Sequence, residues 1–228
     1  MNSEGPATAP MKILAIADIH GKTAMIERAG ELIQGCDLIL IAGDITRSGT
    51  VNEAAEVIGA VEKFTTSILA VHGNWDSPGV SDFLAEKGYG LHGIGRTIGG
   101  IGFFGLGGSS PTPIHTRCEY TEDQIADFLD GAYRTAGNAR TRVLLSHVPP
   151  RGVRDRTFLF LRGGSTALRA FLESHEVDLC VCGHIHEAGG IETLGEVIVA
   201  NPGSFKSGKY ISAELNDTMT LSRGKIRK

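Results

Sequence analysis

The sequence predicts an α/β domain, on three observations. Short, unbroken apolar runs recur along the chain as KILAIAD, DLILIAGD, SILAVHGN, RVLLSH and DLCVCGHIH, and runs of this kind read as strands buried on both faces. From residue 11 to residue 87 they alternate with helical periodicity, the spacing of βαβ units joined by right-handed crossovers. Each run also ends on a side chain that can bind a divalent metal: Asp18, Asp44, Asn74, His147, and the pair His184 and His186. Ligands of open α/β sheets gather at the carboxyl ends of strands, so these strands are expected to deliver polar tips to one rim.

In chain order, a leader over 1–10, MNSEGPATAP, is expected to be disordered, leaving 11–228 as a single domain. Strand 11–17, helix 23–34, strand 37–42, helix 50–63, strand 67–72 and helix 77–87 follow from the alternation of patterns. The helix over 50–63 places Val51, Ala54, Ala55, Ile58 and Val61 on one side and Glu53, Glu56, Glu62 and Lys63 on another, the pattern of a helix lying on a sheet face. Between 88 and 106 the glycine-punctuated pieces YGLHG, RTIGG and IGFFGLGG read as brief strands or a hairpin that begin a second layer.

Residues 107–120, GGSSPTPIHTRCEY, form a long loop of a kind that often carries function in compact domains. Thr121 with Gln124 three residues on is a capping box for a helix running to about Arg134. Strand 142–146, an irregular basic loop over 148–162, a helix near 164–175 and strand 178–182 come next. The tail pieces 189–194, 196–200, 209–215 and 217–223 read as antiparallel strands, with Asn216-Asp217 as a tight turn.

Composition bounds the partners. With 228 residues, 41% of them hydrophobic and 21% charged, the chain can bury its own core. A net charge of -4 argues against a protein that coats nucleic acid, which needs a basic face, and the basic C-terminal run Arg223, Lys225, Arg227, Lys228 reads as a solvated end. No stretch approaches the roughly 18 apolar residues of a membrane span, and the leader lacks a signal-peptide core. The four cysteines, Cys36, Cys118, Cys180 and Cys182, form no CxxC pair and are expected to be reduced thiols in a soluble, cytoplasmic protein.

The rim residues carry the chemistry. Taken singly, Asp18-x-His20, Asp44, Asn74 and His147 are ordinary turn or loop residues. Gly183-His184-Ile185-His186 is sharper, because histidines two apart on extended chain face one side and can address one metal or two neighbouring ones. Together, Asp18, His20, Asp44, Asn74, His147, His184 and His186 make a mixed carboxylate, amide and imidazole set that suits Mn²⁺, Fe, Zn²⁺ or Co²⁺. Seven ligands exceed what one ion takes, so a carboxylate shared between two ions is expected.

The order D-x-H, GD, GN-x-D, a later H and GHIH resembles the calcineurin-like metallophosphoesterase superfamily, in particular its compact archaeal and bacterial phosphodiesterases. The resemblance implies a four-layer αββα sandwich and two divalent metals, Mn favoured. It implies Asp18, His20 and His186 on one metal, Asn74, His147 and His184 on the other, and Asp44 between them. It also implies in-line attack on phosphorus by a metal-bound hydroxide. The expected substrate is a small phosphate ester, a phosphodiester ahead of a monoester; nucleic acid stays open as a substrate, and so does the oligomeric state. No membrane partner is expected.

One position departs from the pattern. Many members of the superfamily carry histidine after the motif asparagine, and this chain carries Trp75, which has one N–H donor and no useful acid–base chemistry. Asp76 then reads as an N-cap for the helix beginning near Ser77-Pro78, and His115 in the 107–120 loop is the candidate for protonating the leaving group. Arg151 and Arg154, with Arg156, follow His147 and are candidate phosphate contacts or surface salt-bridge partners. His72, His92 and His175 read as structural or surface residues. A dinuclear amidohydrolase would want an early HxH in place of Asp18-x-His20. The rival from another class is a non-catalytic protein-binding module on the same metal-binding fold.

Overall fold

The computed structural model describes residues 9–159, 161–216 and 218–227. The first eight positions of the expected leader lie outside this set, as do Asp217 of the expected turn and Lys228 of the basic run. The first half contains β1 (Met11–Ile16), α1 (Thr23–Arg28), α2 (Gly30–Gln34), β2 (Leu38–Ala42), α3 (Val51–Glu62), β3 (Ile68–Val71) and α4 (Pro78–Glu86). The second half begins with β4 (Gly95–Ile98), β5 (Ile101–Leu106), α5 (Glu122–Thr135), β6 (Thr141–Ser146), α6 (Thr166–Ser174) and β7 (Leu179–Val181). It closes with β8 (Gly190–Leu194), β9 (Val197–Asn201), β10 (Lys209–Leu215) and β11 (Met219–Lys225), with 3-10 turns at His186–Ala188 and Phe205–Ser207.

The strands form two sheets, one ordered β11-β10-β1-β2-β3 and one ordered β4-β5-β6-β7-β9-β8. Alternation along each strand produces the layering, because successive side chains point to opposite faces. On β1 and β2, Leu14, Ile16, Ile39 and Ile41 pack outward under Ile26, Val57, Ile58 and Leu84 of the helices. Their neighbours Ile13, Ala15, Leu38 and Leu40 pack inward against Phe103, Val143, Leu145 and Val181 of the other sheet. Phe104 and Leu144 face the far side, beneath Ile125, Leu129, Leu168 and Phe171 of α5 and α6. The result is the expected four-layer αββα sandwich. Burying one side chain such as Leu40, which is fully buried, contributes about 1.5–3 kcal/mol.

Strand direction then positions the site. β1, β2 and β3 run parallel to one another, and so do β5, β6 and β7. The residues that follow β1, β2, β3, β6 and β7 therefore emerge along the carboxyl ends of both sheets. The capping box at α5 is present, with Thr121 and Gln124 each accepting the other's backbone N–H.

Several expectations change. The helix over 23–34 is two helices, because the Ala29 N–H is shared between the carbonyls of Met25 and Ile26, which tightens the last turn of α1, and the Phe64 ring occupies the space that a side chain at position 30 would take. Val51 lies at the first turn of α3 and is exposed. The tail strands pair antiparallel as β8–β9 and β10–β11, but they divide between the sheets: β9 also runs parallel to β7 and β10 antiparallel to β1.

Candidate metal centre

All seven rim residues come together. His20 Nε2 lies 3.2 Å from His186 Nε2 and 3.7 Å from Asp44 Oδ2, while His186 Nε2 is 3.2 Å from Asp18 Oδ1. These four side chains offer ligand atoms within 4.8 Å of one another. A second group faces the other oxygen of the same aspartate: His147 Nε2 is 3.5 Å from Asp44 Oδ1 and 2.9 Å from Asn74 Oδ1. His184 Nδ1 is 2.8 Å from that same Asn74 oxygen.

The backbone is bent to achieve this. Asp18, His20, Asp44 and His184 all adopt φ between 48° and 66°, a left-handed conformation that side-chain-bearing residues rarely take and that concentrates where function over-determines geometry. Gly73 supplies the complementary space, since a Cβ there would overlap the Asp44 carboxylate. Trp75 N–H fixes that carboxylate by donating to Oδ1 at 3.0 Å. Asn201, on the last position of β9, donates to the carbonyls of Gly183 at 3.1 Å and Ile185 at 3.2 Å, holding the histidine turn.

Hydrogen-bond accounting shows what the cluster is fitted to hold. His147 Nδ1 is 2.8 Å from the Ala42 carbonyl, so that nitrogen carries the ring proton and Nε2 presents a lone pair. Burial lowers the His147 pKa. Asn74 Nδ2 donates to Thr116 Oγ1 at 2.9 Å, which turns its oxygen inward. Lone pairs on His147 Nε2 and Asn74 Oδ1 therefore meet at 2.9 Å with no proton between them, beside the Asp44 carboxyl. Asp18 Oδ2 is buried with no hydrogen-bond partner. Such a confrontation of acceptors is costly in a buried site and fits a divalent cation with oxygen and nitrogen ligands.

The electrostatics agree. Burial, together with the charges of Asp18 and Asp76, holds Asp44 well above the usual carboxylate range, as expected when like charges share a dry site. For Asp18, burial acts to raise the value, but the hydrogen bond from His186 and the surrounding histidines bring it below the ordinary range. Burial, aided by neighbouring His147, pushes His184 down to about 3, so it is a neutral ligand at physiological pH. The hydrogen bond to Asp18 raises His186.

Asp76 is not an N-cap: Ser77 holds that position of α4, without a side-chain cap hydrogen bond, and the buried Asp76 carboxylate accepts from Gly73 N–H, Ile45 N–H, Thr46 N–H and the Thr46 hydroxyl. It ties the Asp44 loop to the Asn74 loop, because both carboxylate oxygens point back at that backbone. His115 is exposed, one position before Thr116. Arg154 pairs with Glu192 at 2.7 Å, and Arg151 donates to the Arg162 carbonyl at 3.3 Å. His72 and His92 sit beside Tyr120 in an aromatic cluster, and His175 stacks on Phe171.

Sequence reasoning missed Thr116, Arg47 and Lys206. Thr116 belongs to a network in which Glu119 accepts from Thr112 and from both the amide and the hydroxyl of Thr116, each at 2.6 Å. Partial burial works to raise Glu119, yet these bonds hold it down at about 2. Arg47 and Lys206 line a cavity of about 270 Å³ with His20, Trp75 and His186. Each stands alone in sequence, with no motif to mark it.

The chain is 34% identical over 197 residues to an uncharacterized protein of Methanocaldococcus jannaschii, covering 84% of this chain and 88% of that one. It is 28% identical over 161 residues to a probable cyclic nucleotide phosphodiesterase of Synechococcus, covering 67% of this chain and 58% of that one. Among solved structures it is similar to a dimetal phosphatase from Danio rerio, with a TM-score of 0.68 at 13% identity over 97% of this chain and 98% of that one. Among the described residues, no helix is long and apolar enough to cross a membrane. The family description "Calcineurin-like phosphoesterase superfamily domain" matches residues 11–214, so the chain belongs to that superfamily of metal-dependent phosphate-ester hydrolases.

Proposed function

We propose that the chain is a dinuclear-metal phosphodiesterase. Asp18, His20 and His186 would hold one ion, Asn74, His147 and His184 the other, and Asp44 both. The observation that carries this reading is the Asp44 carboxylate, whose two oxygens face two separate groups of lone-pair donors. When bound, the ions would acidify water and draw charge from the phosphate oxygens. The chain's own residues set the rest: the buried carboxylates fix where the ions sit, and left-handed backbone at His20 and His184 aims those two imidazoles at them. Arg47 and Lys206 bring positive charge to the cavity beside His20 and His186, with Arg151 and Arg154 as outer contacts along the 148–162 loop.

Substrate preference follows from position 75. Indole cannot protonate a leaving group, which favours diesters with good leaving groups, and the Synechococcus relative's name supports the same direction. The mixed nitrogen and oxygen donor set suits Mn²⁺, Fe, Zn²⁺ or Co²⁺, and among these the family resemblance favours manganese. Four free cysteines support a reducing, cytoplasmic setting.

The test is metal content together with hydrolysis in Mn²⁺. Two ions per chain are expected, with bis-p-nitrophenyl phosphate turned over faster than p-nitrophenyl phosphate. Full loading without turnover would favour the protein-binding module, and a faster monoester would sink the diester preference. His115→Ala is expected to lower turnover of poor leaving groups by about 10²-fold or more, the range of general acid catalysis; unchanged turnover removes His115 from the reaction.

A second prediction concerns Thr116. Thr116→Val keeps the shape but removes both the acceptor for Asn74 Nδ2 and the hydroxyl that donates to Glu119. Groups that orient a metal ligand typically contribute about 10–100-fold in affinity, so metal titration of this variant should show one site weakened by that amount. Two undisturbed sites would detach the 107–120 loop from the centre.

A further inference from the structure

We infer that Trp75 is the specificity-determining residue of this site: an indole platform for the base of a nucleoside phosphodiester whose phosphate lies at the Asp–His cluster. This rests on the phosphoesterase reading for where the phosphate sits. Trp75 is held at that spot by its backbone, because its N–H donates to Asp44 Oδ1 at 3.0 Å. Its carbonyl accepts from Arg117 at 3.0 Å, and the Arg117 guanidinium lies 6.0 Å from the ring centroid. The main chain is thus fixed on both sides while the residue remains 39% exposed.

An exposed indole that closes no core is available for a ligand. Here it shares its cavity with His20, His186, Arg47 and Lys206, so a π face and two cationic side chains line the same space as two metal-ligand candidates. An anion joined to a planar ring system matches both halves of that lining. At about 270 Å³ the cavity falls just under the roughly 300–1,000 Å³ that enclose drug-sized ligands. It suits a phosphate and one ring system better than the chains of a lipid. A simple alkyl diester would satisfy the charges and leave the indole in water.

Trp75 is the chain's single tryptophan, so emission excited beyond tyrosine absorption reports this position alone. The full-length protein loaded with Zn²⁺ is titrated with adenosine 5′-monophosphate and with ribose 5-phosphate, which differ in the base. Expected is quenching by the former with binding about tenfold tighter, within the range for one base stacked on an aromatic side chain. Equal binding of the two overturns the inference. A catalytic arm compares thymidine 5′-(p-nitrophenyl phosphate) with methyl p-nitrophenyl phosphate, which share a leaving group. The ratio of their kcat/KM values should fall about tenfold in Trp75→Leu and less in Trp75→Phe; an unchanged ratio also overturns the inference. If neither diester is hydrolysed but quenching depends on the base, the platform stands and the hydrolase reading fails. If both are hydrolysed with an unchanged ratio, the reverse holds.

Discussion

Asp44→Asn is expected to lower kcat/KM for bis-p-nitrophenyl phosphate by at least about a thousandfold, close to 4 kcal/mol in transition-state stabilisation. Asparagine fills the same volume but has one oxygen in place of two. The Trp75 N–H selects which one remains, because it donates to Oδ1 and a carboxamide would keep its oxygen there. The amide NH₂ would then face His20, on the side of Asp18 and His186, where it repels a cation. Metal analysis should therefore show that side emptied first, with loading falling from two ions per chain towards one.

The same substitution should move stability the other way. The carboxyl of Asp44 is held well above the usual range, first by burial and then by Asp18 and Asp76. A carboxyl whose folded pKa is raised destabilises the fold once pH climbs above its unfolded value, and increasingly up to its folded value. Metal-free Asp44→Asn should accordingly melt above metal-free wild type at neutral pH, by differential scanning calorimetry. A variant that lost activity by unfolding would melt lower. Unchanged turnover at full loading would remove Asp44 from the shared position. Opposite signs for activity and metal-free stability are the mark of a residue kept for its charge.

How much of this was legible in sequence depended on whether the signal was local. Strand ends were readable because burial on both faces demands an unbroken apolar run, and a metal-capable side chain stands at or just beyond the end of each. Asp44, Asn74 and His147 were each found that way. The break at Ala29, where one N–H is shared between the carbonyls of Met25 and Ile26, was not readable, since no proline marks it in the local pattern. Nor was Thr116, whose role arises only when the 107–120 loop folds over Asn74 and gives that residue's carbonyl the N–H groups of Arg117 and Cys118. The tail strands showed their period but not their partners. Parallel pairing of β9 with β7 is a long-range choice that alternation alone does not encode.

Asp76 is the instructive error, and it yields the second large prediction. Its position ahead of Ser77-Pro78 suits an N-cap, and replacing an N-cap with alanine costs about 1 kcal/mol. The structure assigns it a different load: Gly73 N–H at 2.8 Å, Ile45 N–H at 3.1 Å, Thr46 N–H at 2.9 Å and the Thr46 hydroxyl at 2.6 Å all donate to it. Asp76→Ala would strand three buried backbone donors. At about 1–3 kcal/mol for each donor left unpaired, a loss of about 3–5 kcal/mol is expected even after partial relaxation. For a chain of this length, about 2–4 °C of melting temperature accompanies each kcal/mol, so Tm should drop by about 10 °C or more. Asp76→Asn, which keeps one acceptor oxygen, should fall between that variant and wild type. The loss should also reach the metals, because the donors at positions 45 and 46 belong to the loop that carries Asp44, and the donor at 73 precedes Asn74. A Tm drop of only a few degrees with two ions still bound would return Asp76 to the lesser role of helix cap. A large drop with weakened loading would show that one buried carboxylate keeps the two ligand loops in register.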